Sequence, residues 1–317
     1  MGYPSRELSR SHPIYRKISA YKAVTAQGDF LVKPFRSTKR RLAEISRNVI
    51  QLRNAGYPHS PAWLTTTSGK SWAKLDDQLY YLTDWINGTQ PGMDTEQFKH
   101  IGEALARLHT MSVRRVKSGG SATANWLHKL QRQEMRFIRD LPKLRNLPND
   151  VGRWYRKHGE TCIDMGREAW RFTDTPDVQE QLDKEKSRTS LIHGDITTCN
   201  IAIRDGEVFL LDWEFIRYGT KLYDLVRSLS NTTNFTVPLI ESILTGYQNI
   251  APLTTGERQL ICALFRVPRE AWYVGWVASS HTTSAGYVTL QTSWRKRLSA
   301  IQWVDSWAKK QPTVADK

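Results

Sequence analysis

His193-Gly194-Asp195-Ile196-Thr197-Thr198-Cys199-Asn200 is followed by Leu211-Asp212-Trp213-Glu214, and the two segments place chemistry-bearing oxygens at a defined spacing. The pattern is H-G-D-x-x-x-x-N, then D-x-E. An Asp in this position serves as the base that takes the proton of an attacking hydroxyl. An Asn five residues on, and a further Asp, supply amide and carboxylate oxygens that hold magnesium against nucleotide phosphates. The chemistry so encoded is phosphoryl transfer, with Asp195 as base and Asn200 and Asp212 as metal ligands.

The residues between the motifs explain how they meet. Asn200 to Arg204 and Glu207 to Leu211 are short, apolar, β-prone runs joined by Asp205-Gly206, the pair favoured by two-residue type I′ turns. If Arg204 pairs with Glu207, the register carries Asn200 opposite Leu211, and Asn200 and Asp212 share the open end of one hairpin. Asp195, in the loop feeding the first strand, lies at the same end. Three oxygen-bearing side chains then converge on a point suited to a hard cation such as Mg2+. Taken singly, each has a plainer reading: an Asp before a hairpin is a turn or cap residue, and an Asn at a strand start often is too. The order, the spacing and the hairpin together carry the site.

Upstream, the first eighty-odd residues read as mixed α/β. Tyr21 to Thr25 and Phe30 to Lys33 are strand-like and flank the turn Ala26-Gln27-Gly28-Asp29. Leu42, Ile45, Val49 and Leu52 recur at helical steps, with Ser37 or Thr38 as cap and Gly56 as terminator. Ala62 to Thr67 and Gln78 to Thr83 are further strand candidates. This order is that of a small kinase-like N-lobe, in which Lys33 takes the place of the phosphate-binding lysine and Glu44 that of its ion-pair partner. The alternatives are an exposed strand-end lysine and an exposed helical carboxylate. Asp84-Trp85-Ile86-Asn87-Gly88 reads as a linker, and Asp84, Trp85 and Ile86 are the candidates whose backbone meets the adenine. The division falls at residues 1–85 (N-lobe, nucleotide-binding) and 86–317 (C-lobe, helical, with catalytic loop and substrate pocket). Asp94 with Gln97 suggests a capping box opening a helix with Phe98, Ile101, Leu105 and Leu108 on its buried face. His109 at its end reads as a structural histidine. Helices are expected over about 124–139 and much of 150–186. The fold class is α+β: a bilobal protein-kinase-like fold with a small mixed N-lobe and a larger, mostly helical C-lobe.

Composition sets limits on partners. The chain has 317 residues and a formal charge of +15, its basic residues spread rather than held in one tail. Such charge suits an anionic ligand such as ATP or an acidic substrate. No zinc spacing, RNA-binding signature or helix-turn-helix argues for nucleic acid. No apolar run is long enough to span a membrane, and Met1 to Glu7 lack the apolar core of a secretory signal and the Ser or Thr of a myristoylation site. Cys162, Cys199 and Cys262 read as free thiols of a reducing compartment, with Cys199 a small buried hydrophobe. A cytoplasmic protein is expected.

At these residues the chain resembles the aminoglycoside phosphotransferase and choline kinase superfamily from about residue 15 onward. The loop reads His-Gly-Asp where protein kinases carry His-Arg-Asp, and no Ala-Pro-Glu follows Asp224. Within the superfamily it looks most like the spore-coat CotS-like branch. The supporting runs are Tyr21-x-x-x-Thr25-x-x-Gly28-x-x-x-x-Lys33, Tyr81 to Gly88, and Gly102 to His109. The resemblance implies an ATP- and Mg2+-dependent transfer of the γ-phosphate to a small-molecule hydroxyl. It also implies that His193 braces the loop, that Glu214 assists a second metal or orients water, and that Asp224 is a buried structural carboxylate. One departure stands out: Ser19-Ala20 before Tyr21 offers no glycine-rich loop. This keeps open a non-catalytic kinase-fold protein of a spore coat, with coat-protein partners. The acceptor pocket is expected in the C-terminal half, near Trp272, Tyr273 and Trp276. Aromatic pairs at helical spacing usually fill a core, and the positive charge favours a neutral or acidic acceptor over a cationic one.

Overall fold

The computed structural model describes residues 5–10, 20–115, 122–280 and 286–309. Ser19 and the extreme N-terminal residues lie outside the described residues. The N-terminal part is a five-stranded antiparallel sheet carrying one helix. Its elements are β1 (Ser5–Arg10), β2 (Tyr21–Thr25), β3 (Gly28–Phe35), α1 (Lys39–Asn54), β4 (Ala73–Leu75) and β5 (Gln78–Asp84), with strand order β1-β2-β3-β5-β4. The register places Lys33 opposite Tyr81. Helix α1 is capped by the Thr38 hydroxyl, which accepts from the Arg41 amide at 3.2 Å. Its stripe Leu42, Ile45, Val49 and Leu52 is buried as the periodicity requires.

The strand expected at 62–67 is an extended segment that touches the sheet through a single bridge, Trp63 to Thr83. Two backbone hydrogen bonds flank that bridge, Leu64 to the Leu82 carbonyl at 3.0 Å and Asp84 to the Ala62 carbonyl at 2.9 Å, and Trp63 stacks on Tyr81 with centroids 4.5 Å apart. β4 pairs with the first residues of β5, Gln78 to Tyr80, and β1 adds a strand that the apolar pattern did not signal.

The C-terminal part is mainly helical, around a short catalytic segment. It contains α2 (Thr95–Met111), β6 (Arg114–Arg115), α3 (Ala122–Arg145), α4 (Asp150–Thr173), α5 (Pro176–Ser187), β7 (Arg188–Ile192), β8 (Ile201–Arg204), β9 (Glu207–Leu210) and β10 (Arg217–Gly219). Helices α6 (Lys221–Thr232), α7 (Val237–Ile250), α8 (Thr255–Arg266), α9 (Arg269–Ser280) and α10 (Tyr287–Lys309) complete it. The α+β class and the helical larger part agree with the sequence reading. Asp94 caps α2 by accepting from Glu96, but Gln97 accepts from Gly92 rather than closing a capping box.

Two close contacts fix the frame. Helices α2 and α7 meet at Gly102 and Gly246, where a Cβ would come within 2.1 Å of the Ile243 carbonyl and 1.9 Å of the Lys99 carbonyl. Only glycine permits that approach. Arg297 of α10, 1% exposed, donates to the carbonyls of Phe265, Arg266 and Val267 at the end of α8 and pairs with Glu270 at 2.8 Å. The otherwise unsatisfied carbonyls of a buried helix end are thereby bonded. No described helix is long and apolar enough to cross a membrane.

Candidate active site

The hairpin forms as its turn chemistry dictates. Arg204 pairs with Glu207 and Ile201 with Leu210. Asp205 (φ 53°) and Gly206 (φ 81°) supply the two left-handed residues of a type I′ turn. The Leu211 amide donates to the Asn200 carbonyl at 2.8 Å, so Asn200 lies opposite Leu211 at the open end. There Asp212 takes a left-handed conformation (φ 59°, ψ 63°) that ends the strand and starts a 3-10 turn over Trp213–Phe215. Asp tolerates this region better than most residues.

Lys33 closes the site from the other side. Its Nζ lies 2.7 Å from Asp212 Oδ1 and 3.0 Å from Glu214 Oε1, and Tyr81 donates to Glu214 Oε1 at 3.1 Å. Burial disfavours the charged ammonium, yet Asp212 and then Glu214 outweigh it and the Lys33 pKa is raised. Glu44 is not brought to Lys33. Its side chain is 51% exposed and pairs within α1 with Arg41 at 3.1 Å. The helix instead reaches the site through Arg41, which donates to the carbonyls of Ile216 (2.5 Å) and Glu214 (3.3 Å). Arg41 stands out in the sequence only as one basic residue among many.

Asp195 is held at the mouth of this cluster. Asn200 Nδ2 donates to the Asp195 carbonyl (2.9 Å) and to its carboxylate (3.3 Å), and Arg227 lies 3.7 Å from Asp195 Oδ1 while donating to the Gly194 carbonyl at 2.7 Å. His193 is fully buried. Its Nδ1 accepts from the Asp195 amide at 3.3 Å, which makes Nε2 the protonated nitrogen that donates to the Leu211 carbonyl at 2.9 Å. Burial lowers its pKa, against the opposing pull of Asp224 and Asp212, and keeps the ring neutral. One imidazole thus ties the loop carrying Asp195 to the strand end carrying Asp212.

Beneath the loop, Asp224 accepts from the His193 and Gly194 amides, both at 3.0 Å, and contacts His109 Nε2 at 3.3 Å. Burial works to raise its pKa, but the His109 hydrogen bond, the neighbouring histidines and the Gly194 amide bring it below the usual carboxylate value. His109 also bonds Tyr247 at 3.0 Å and is structural. Gly194 has φ +83°, and a Cβ there would sit 2.6 Å from Arg217 Nη1 and 2.9 Å from the Phe215 carbonyl. Glycine in this triplet therefore has a local steric reason.

Of the expected adenine linker, the Asp84 amide donates to the Ala62 carbonyl (2.9 Å) and the Trp85 amide to the Asp29 carbonyl (3.0 Å). Those two N–H groups are used inside the lobe, and of the three adenine candidates Ile86 is the one whose amide has no backbone acceptor among the described residues. Cys199 is exposed, contrary to expectation, because the 3-10 turn Thr198–Asn200 faces outward; Cys162 and Cys262 are the buried thiols.

The donor set bears on what the site could hold. Among the described residues, no group of three or more His, Cys, Asp and Glu side chains could bind a metal by itself. Asp212 and Glu214 offer two carboxylates already gathered around one cation, with the Asn200 amide nearby. That set fits magnesium shared with nucleotide phosphates, since Mg2+ is usually held by one or two carboxylates plus phosphate oxygens.

Beside Asp195 opens a cavity of about 1030 Å³, walled by the 197–198 loop and by residues of α3, α6, α9 and α10. Trp272 is buried, as core-filling predicts, but Tyr273 and Trp276 are 53% and 41% exposed and line this cavity.

A two-part fold with a lysine from its sheet meeting Asp and Glu at a hairpin, next to a His-Gly-Asp loop, defines a phosphotransferase of protein-kinase-like architecture. The chain belongs to the phosphotransferase enzyme family APH, whose sequence profile matches residues 17–260. No curated protein matches it by sequence. Among solved structures it is similar to an aminoglycoside phosphotransferase from Alicyclobacillus acidocaldarius (TM-score 0.80, 15% identity, covering 96% of this chain and 94% of that one). It is also similar to spectinomycin phosphotransferase in complex with ADP and spectinomycin (0.61, 14%, 96% and 90%). A third is amicoumacin kinase in complex with AMP-PNP, Ca2+ and its antibiotic (0.59, 14%, 95% and 90%). At these identities the likeness speaks for the fold.

Proposed function

We propose that the protein is a magnesium-dependent ATP:alcohol phosphotransferase acting on a small molecule. The observation that carries this is the meeting of Lys33 with Asp212, 179 residues away in sequence, and with Glu214, beside Asp195 and Asn200. The family supports phosphotransfer, and similar folds have been captured with ADP or AMP-PNP. Asn200, Asp212 and Glu214 would hold magnesium, Lys33 the phosphates, and the Asp84–Ile86 linker the adenine. Bound Mg–ATP supplies the phosphoryl group and neutralises the charge that develops on its oxygens. Asp195 accepts the proton of the acceptor hydroxyl. Asn200 and Arg227 fix the direction of its carboxylate, and His193 keeps the Asp195 loop in register with Asp212, so that base and ligands are positioned before substrates arrive.

Calorimetry should detect Mg2+-dependent ATP binding, and Asp195→Ala should leave that binding while cutting acceptor-dependent ADP release by about 10²–10⁴-fold. Absence of Mg2+-dependent nucleotide binding sinks the proposal. A non-catalytic spore-coat scaffold predicts no turnover for Asp195→Ala to abolish, so the same pair of measurements separates the two readings.

A further inference from the structure

The cavity beside Asp195 is asymmetric in charge. Two of its carboxylates are already neutralised: Asp140 by Arg139 at 2.9 Å and Arg136 at 3.6 Å, and Glu270 by Arg297 at 2.8 Å. One of its arginines is less well served. Arg269, at the first turn of α9, has no ion-pair partner among the described residues, and its buried Nε has no acceptor. It lies over the Tyr223 ring at 5.3 Å. Burial lowers its pKa; Tyr223 and Glu270 oppose the shift and Arg227 adds to it. Arg227 also lines the cavity; its Nε is buried without an acceptor, and its nearest carboxylate is Asp195 itself. A third donor, Trp272 Nε1, is buried on the same wall with nothing to bond. Unsatisfied buried donors are costly, and charged ones more so. Arg269 and Arg227, two guanidinium groups on one cavity wall of which the first has no ion-pair partner among the described residues, mark a place for an anion.

We infer that the acceptor carries an anionic group, a carboxylate or a phosphate, beside the hydroxyl to be phosphorylated, and that Arg269, with Arg227, recognises it. The inference rests on the phosphotransferase reading above and narrows its substrate class. Arginine suits this role because its fork of donors matches the oxygens of either anion. Arg227 touches the carboxylate of Asp195 and lines the anion site as well, so binding the anion would orient the hydroxyl toward the base. A cationic amino-sugar would instead meet two guanidinium groups, with Asp140 and Glu270 already paired and Asp195 engaged with the hydroxyl.

The test uses the full chain with Mg–ATP and hydroxyl compounds grouped by charge. The neutral group is D-glucose and glycerol, and the cationic group D-glucosamine and choline. Sugar and hydroxy acids (D-gluconate, D-glycerate) form the carboxylate arm, and D-glucose 6-phosphate with glycerol 3-phosphate the phosphate arm. Acceptor-dependent ADP release should favour one anionic arm by at least about tenfold in kcat/KM, and the arm that responds identifies the anion. Arg269→Met should raise KM for that arm by at least about tenfold while kcat moves less, with Arg269→Lys recovering part of the loss. Preference for the neutral or cationic group overturns the inference, as does an anion preference that survives in a folded Arg269→Met. Should that variant not fold, the wild-type charge preference decides alone. No acceptor-dependent release in any group, in protein that binds Mg–ATP, counts against phosphotransfer itself and removes the ground for this inference.

Discussion

The catalytic loop and the acceptor cavity adjoin at Asp195 but are built in opposite ways. The loop gathers His193, Asp195, Asn200, Asp212 and Glu214 from one short stretch; hydrogen bonds within that stretch fix His193, Asp195 and Asn200, and Lys33 of β3 pairs with Asp212 and Glu214. The cavity draws its wall from α3, α6, α9 and α10, whose residues are far apart in the chain, and several of its donors are left unbonded. Phosphoryl transfer demands the same groups whatever the acceptor, so the loop can be rigid and locally encoded. Acceptor recognition is a property of helix packing, and its polar groups wait for a ligand.

The difference predicts where stability resides. Asp224→Ala should be the most damaging change, because it strands the His193 and Gly194 amides and His109 in a fully buried place. A loss of about 3–5 kcal/mol is expected, read as a fall in the urea midpoint at unchanged slope. A loss below about 1 kcal/mol would mean that the loop is held mainly by other contacts, and the contrast with the cavity would fail.

A second difference is in pH response. Glu185 lies behind the loop, in a pocket it shares with His109 and the Lys221–Glu257 pair, and burial foremost pushes its carboxyl up to about 7; Lys221 opposes that shift and Glu257 adds to it. Between about pH 4.3, where an unfolded glutamate loses its proton, and about pH 7, the folded protein still holds it. Its contribution to stability therefore falls as pH rises through that window and is gone above it. Glu185→Gln should remove this slope and stabilise the protein by up to roughly 3 kcal/mol at pH 8, with little change at pH 4. Thermal unfolding of both proteins across pH would show it; parallel curves would refute it.

The same contrast governs what could be read from sequence. The hairpin was legible because its turn pair, strand lengths and motif spacing all lie within a dozen residues. The helical stripes of α1 and α2 were legible because periodicity reports burial directly. Lys33 could be located on its strand, but its partner could not: a helix carboxylate nearby in sequence is a natural choice, while the carboxylates it meets lie far along the chain and arrive only through folding. The 62–67 segment has strand composition, yet only Ala62 to Leu64 pair with β5, and stacking of Trp63 on Tyr81 adds to that pairing. Arg269 and Arg227 are two of 46 basic residues, and nothing local distinguishes them. What marks them is a missing acceptor, which is a tertiary property.

The smallest effect expected is the sharpest test of that boundary. Trp272 and Trp276 are one helical turn apart, and from sequence both read as core. In the structure Trp272 is buried, whereas Trp276 is 41% exposed on the cavity wall, with the Arg136 guanidinium 5.5 Å from its ring. Truncating a core tryptophan costs about 3–5 kcal/mol, while surface substitutions usually stay within about 0.5 kcal/mol. Trp276→Ala should therefore leave the unfolding midpoint nearly unchanged and raise the acceptor KM a few-fold, as loss of contact area in a binding wall would. If instead the midpoint fell as for a core residue and KM did not move, Trp276 would belong to the packing of α9, and the cavity would be bounded by the arginines and Trp272 alone.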